Sequence, residues 1–179
     1  WDIMSFVPMI GLNVAIISMV GRFVGENNLS RMREVMLSGL LIGMGYSAIL
    51  AIVFVVFREP LVAIFVADSP HSDGIMELSI FMMLGLASYV MADAALLVVG
   101  GVLRGAGDTQ WLMWVSVLLH WLMLIIQYFV IKVWELGPKT AWVVLCVTVL
   151  VTAAVYVLRL RGGKWRTPEA LARVMAEQS

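Results

Sequence analysis

Asp93 is the residue whose type and setting best suit it to bind a proton or a small cation, because no other acid falls well inside a long apolar run. A charged Asp at the centre of a bilayer costs about 2.5–3.5 kcal/mol on insertion scales. Such a group is expected to face a bundle interior or a water-filled cavity, where a proton or a bound cation neutralises it. Tyr89 precedes it by four residues, so the two share one helical face and lie within reach of each other. The competing reading is structural: a neutral Asp93 hydrogen-bonded between helices.

A second polar group is Arg104-Gly105-Ala106-Gly107-Asp108-Thr109. Gly105 and Gly107 permit a tight turn, Arg104 is expected to pair with Asp108 four residues on, and Asp108 or Thr109 can cap the helix that follows. A structural turn is favoured here over substrate contact. Gly105 to Asp108 also match the GxGD signature of intramembrane aspartyl proteases. That chemistry needs two carboxylates close enough to share a proton, about 3 Å apart. Asp93 and Asp108 are about 22 Å apart at 1.5 Å per helical residue, so no enzyme is expected.

Weaker candidates lie in other apolar runs. His120, with Gln127 two turns later, could form a proton relay, although a hydrogen-bonded packing histidine is the simpler reading. Asn13 and Ser18 suit hydrogen bonds between helices. Cys146 is a lone thiol in an apolar run, expected to be buried and inert. No cofactor and no metal site is indicated.

These residues must be positioned by helices in a membrane. The chain of 179 residues is 62% hydrophobic and 13% charged, and its mean hydropathy is +0.98. Soluble domains carry close to a quarter charged residues. The net charge of zero offers nothing to nucleic acid. A spanning helix needs about 20 apolar residues, and five segments qualify: 3–24, 35–57, 78–103, 111–133 and 140–158. The stretch 61–67 is too short to span and is expected at the interface. Pro8 is expected to bend the first span, and Pro8 and Gly11 to shape a cavity. Gly39, Gly43 and Gly45 in the second span suit close helix packing.

Basic residues stay on the cytoplasmic side of a membrane. Arg22, Arg31, Arg33, Arg104, Arg159, Arg161, Lys164, Arg166 and Arg173 fall on one side, against Arg58, Lys132 and Lys139 on the other. The tail is therefore expected in the cytoplasm. Trp111, Trp114, Trp134 and Trp142 near span ends suit an aromatic belt. Residues 1–160 are expected to form the bundle, and 161–179 a tail with an amphipathic helix capped by Thr167 and carrying Pro168 in its first turn. Five spans with the tail inside leave the other terminus outside, so at least one further helix is expected before Trp1.

Three segments together resemble the MATE (multidrug and toxic compound extrusion) family. Gly101-Val102-Leu103-Arg104-Gly105-Ala106-Gly107-Asp108-Thr109 is similar to that family's turn after its tenth helix. Phe6-Val7-Pro8-Met9-Ile10-Gly11-Leu12, with Val20-Gly21-Arg22 and Gly25, looks like its eighth helix, and Arg159 to Trp165 like the basic end of its twelfth. The resemblance implies an all-α polytopic bundle, helices eight to twelve of a twelve-helix transporter made of two six-helix lobes, with the missing N-terminal part as its partner. It further implies a cation-coupled antiporter in a multi-pass cytoplasmic membrane, exporting cationic amphipathic drugs in exchange for H+ or Na+. Asp93 and Tyr89 match the ion-coupling positions of the NorM-type branch. Val90 and Ala92 stand where that branch has polar residues, which weakens a sodium site, because hard cations want several oxygen ligands. The rivals are a lipid-linked oligosaccharide flippase of the same superfamily, which would need intramembrane arginines, and a non-transporting membrane subunit.

Overall fold

The computed structural model describes residues 1–66 and 72–163, and the expected tail helix lies outside them. Six α-helices account for nearly all of the described chain. They are α1 (Asp2–Gly25), α2 (Leu29–Val56), α3 (Arg58–Val66), α4 (Ser72–Gly105), α5 (Thr109–Tyr128) and α6 (Pro138–Arg161). A π-helical turn, Phe129–Val133, prolongs α5. Five of these helices are long and apolar enough to cross a membrane, whereas α3 has nine residues and is not. The all-α polytopic bundle and its five spans are as the sequence predicts.

The helices outrun the apolar segments. α2 begins at Leu29 rather than at 35, and α4 at Ser72 rather than at 78. Hydropathy registers only the lipid-facing length, while backbone hydrogen bonding carries the helix on through its charged end. Local chemistry then stops and restarts the chain. Asn27 adopts a left-handed φ of 50° after α1, and the Asn28 side chain accepts the Arg31 backbone N–H at 3.2 Å to cap α2. Pro138 opens α6, where a missing N–H costs nothing.

α4 is the central helix, packing against α1, α2, α3 and α6. Small residues let it do so. A methyl group on Gly39 or Gly43 of α2 would meet Ile16 or Met9 of α1 and Val98 of α4, and one on Gly101 would meet Asn13. At Gly105 the close neighbour is backbone, since a Cβ there would lie 2.7 Å from the Ile17 carbonyl oxygen. Gly105 therefore serves the α1–α4 crossing as well as the turn. Gly11 and Gly45 face open space, contrary to a packing role for every span glycine. α5 is the outlier, burying only Leu112.

Two ends of the bundle can be distinguished. Arg22, Arg31, Arg33, Arg104, Arg159 and Arg161 collect where α1, α4 and α6 finish and α2 begins. Arg58, Lys132 and Lys139 lie at the opposite end, where Lys139 reaches Glu77 at 2.6 Å and the Trp1 indole donates to the Leu61 carbonyl at 3.0 Å.

Candidate functional site

α4 holds Asp93 about six turns into its length, half-buried, with Ala94 one residue on fully packed in the core. Among the described residues the Asp93 carboxylate receives no hydrogen bond and has no cationic partner. Tyr89, one turn earlier, is buried. Its hydroxyl does not turn to Asp93; it donates to Oδ1 of Asp2 on α1 at 3.0 Å. Asp2 and Asp93 are close enough for their charges to act on each other. Two acids and a phenol from two helices thus share one region of the bundle.

Asp2 escaped the sequence reading. It sits in the first turn of α1, just before the predicted span, and so reads as a flank. α1 starts level with the middle of the longer α4, which brings Asp2 to the depth of Tyr89. Only the relative register of the two helices reveals it. Beside the cluster lies a cavity of about 210 Å³, lined by Trp1, Asp2, Phe65, Met83, Leu86 and Trp142. Trp142 is not a belt residue: its ring packs edge-on against Tyr89 at 6.1 Å, and its indole N–H is buried without an acceptor among the described residues.

The Arg104–Asp108 pair expected from i,i+4 spacing does not form. Gly107 has φ 83°, and the Gly107 and Asp108 N–H groups return to the Arg104 and Leu103 carbonyls. This left-handed helix ending reverses the chain and takes Asp108 off the helical face of Arg104. Asp108 occupies the N-cap position of α5 without capping it. Its carboxylate instead receives two hydrogen bonds from the Arg159 guanidinium of α6, at 2.8 and 3.1 Å. Arg159 also lies 5.0 Å over the Trp111 ring. Arg104 is exposed.

The other candidates are structural or solitary. Asn13 is buried and donates to the Leu97 carbonyl, joining α1 to α4. Ser18 is exposed and joins nothing among the described residues. His120 is exposed, and its Nδ1 lies 2.7 Å from the Ser116 carbonyl of its own helix, so it neither packs nor approaches Asp93's cluster by any described contact. Gln127 donates to the Ala141 carbonyl at 2.8 Å, tying α5 to α6. Pro8 and Gly11 sit on the exposed face of α1, and the helix runs through Pro8 without interruption. Cys146 is buried beside Gly85, as expected of an inert thiol.

Comparison with known proteins identifies this architecture. A family model described as MatE matches residues 2–129. A probable multidrug resistance protein NorM of Thermotoga maritima is 28% identical over 171 residues, covering 95% of this chain and 36% of its own length. A NorM of Mannheimia succiniciproducens is 27% identical, over 87% of this chain and 34% of its own length. The multidrug resistance protein MdtK of Photorhabdus laumondii is 24% identical, over 78% and 31%. The chain spans about a third of the length of these curated relatives. With five membrane-spanning helices and a family match over most of its length, this multi-pass membrane protein belongs to the MatE family.

Proposed function

We propose that this chain is the C-terminal lobe of an antiporter that exports cationic amphipathic drugs in exchange for H+ or Na+. The observation that carries the proposal is Asp93, a half-buried acid on a membrane helix with no cationic partner among the described residues. A structural acid at that depth would be expected to hold a donor. The multidrug resistance names of the relatives point the same way. The arginine-rich end is taken as cytoplasmic, which puts the Asp2–Tyr89–Asp93 cluster toward the outer half of the bilayer.

The mechanism is mutual exclusion. A cationic drug is drawn to the lobe while Asp93 is charged. Entry of a proton or sodium from outside neutralises it, and the drug loses its electrostatic anchor. For sodium, the oxygens of Asp2 and Tyr89 supplement Asp93 where Val90 and Ala92 supply none. The basic residues of the described spans lie at helix ends, which disfavours a flippase that holds diphosphate in mid-membrane.

The test is dye efflux by the full-length protein carrying Asp93→Asn, under an H+ gradient and then a Na+ gradient. Efflux is expected to be lost under the gradient that drives it. Parental efflux under both would overturn the proposal. Asp2→Asn is expected to weaken ion dependence while leaving some transport.

A further inference from the structure

The arginines at the basic end are not alike. Arg22 pairs with Glu26 at 2.9 Å, Arg31 with Glu34 at 3.1 Å, and Arg159 with Asp108 at 2.8 Å. Arg33 and Arg161 have no carboxylate partner among the described residues, and both line one cavity of about 560 Å³. That volume is in the range of small-molecule sites, about 300–1,000 Å³. The cavity opens between the first turns of α2 and the last turn of α6.

Its walls are both polar and apolar. Arg33, Arg161 and Ser30 form the polar part, and Leu29, Met32, Met36 and Leu160 the apolar part. α2 enters the membrane from this end, so Met36 lies about 4.5 Å deeper than Arg33. The start of α2 adds the partial positive charge of a helix N-terminus. Two guanidiniums suit a phosphodiester, which each can grip with two hydrogen bonds, and the thioether and leucine wall suits the first methylenes of an acyl chain. A soluble phosphate would use the arginines and gain nothing from Met36 or Leu160.

We propose that this cavity binds an anionic phospholipid, its phosphate between Arg33 and Arg161 and the start of one acyl chain along Met36 and Leu160. Basic pockets between membrane helices are a recurrent solution for holding such headgroups. The site is separate from the Asp93 cluster and stands whether or not that cluster couples transport.

Native mass spectrometry of the full-length protein in detergent micelles tests this, with dioleoyl phosphatidylglycerol, dioleoyl phosphatidylcholine and inorganic phosphate as probes. Phosphatidylglycerol is expected to form a saturable adduct that phosphatidylcholine does not form and millimolar phosphate does not displace. Arg33→Gln with Arg161→Gln should weaken it roughly thirtyfold, from the strength of two basic groups near an anionic lipid. Met36→Trp, which leaves both charges in place, should weaken it about tenfold by filling the chain groove. Arg104→Gln, at an exposed arginine outside the cavity, should change nothing. If the double variant fails to fold, Arg161→Gln alone should still cost about fivefold. Parental binding in the arginine variants or in Met36→Trp would overturn the proposal. So would an equal loss in Arg104→Gln, or displacement of the lipid by phosphate.

Discussion

Asp93 and Asp108 stand fifteen positions apart in one stretch of chain, and the fold treats them in opposite ways. Asp108 is 15% exposed and gripped by the two hydrogen bonds of Arg159, itself 20% exposed and stacked on Trp111. Asp93 is half-buried, with a second acid nearby and no cation among the described residues. The first arrangement is closed: each carboxylate oxygen has a charged donor, and adding a ligand would displace a good partner. The second is open: among the described residues nothing donates to its carboxylate, which is what the proposed ion-coupling role requires. The contrast separates an aspartate that holds helices together from one left without a partner among the described residues.

Substitutions can break or sharpen that contrast. The largest stability effect is expected from Asp108→Ala, which strands a mostly buried guanidinium and should cost roughly 2–4 kcal/mol. Unfolding in mixed micelles would measure it, and exchanging the two residues, Asp108→Arg with Arg159→Asp, should recover part of the loss. An unaltered midpoint for Asp108→Ala would place this pair among inert surface ion pairs. Next comes Arg159→Lys, expected to cost about 1–2 kcal/mol. Lysine keeps the charge but loses both the two-pronged grip and the flat stacking on Trp111.

Tyr89→Phe should cost about 1 kcal/mol, the worth of one hydrogen bond, provided Asp2 is rehydrated when its donor leaves. A loss above about 3 kcal/mol would show that Asp2 is sealed inside rather than open to the neighbouring cavity. The smallest stability change is expected for Asp93→Asn, within about 0.5 kcal/mol of the parent, since no partner is lost. A destabilisation as large as that of Asp108→Ala would show that Asp93 is a structural acid, and the comparison would collapse.

Legibility followed the range of the interactions. Five spans, the isolation of Asp93 and the turn at Gly105–Asp108 could be read directly, because apolar length, a charge in an apolar run and a left-handed glycine are local properties. The partner of Asp108 could not. Spacing proposed Arg104, and the reversal at Gly107 handed the carboxylate to Arg159 on another helix. Trp142 near a span end suggested a belt, yet it packs inward against Tyr89 and Gly85. His120 and Gln127 look alike as polar residues in one span, but only Gln127 reaches a neighbouring helix.

The sequence by itself determined that the chain crosses a membrane, how many described helices do so and which end gathers the arginines, because burying an apolar segment in lipid depends on composition alone. Which acids meet, and which are satisfied, was decided only by the packing of α1 and α6 against α4. That packing depends on glycine contacts such as Gly101 and Gly105 and on helix register, and register is a property of pairs of helices. Asp2 beside Tyr89 is the clearest case: 87 positions apart in the chain, they are joined because two helices of unequal length start at different depths.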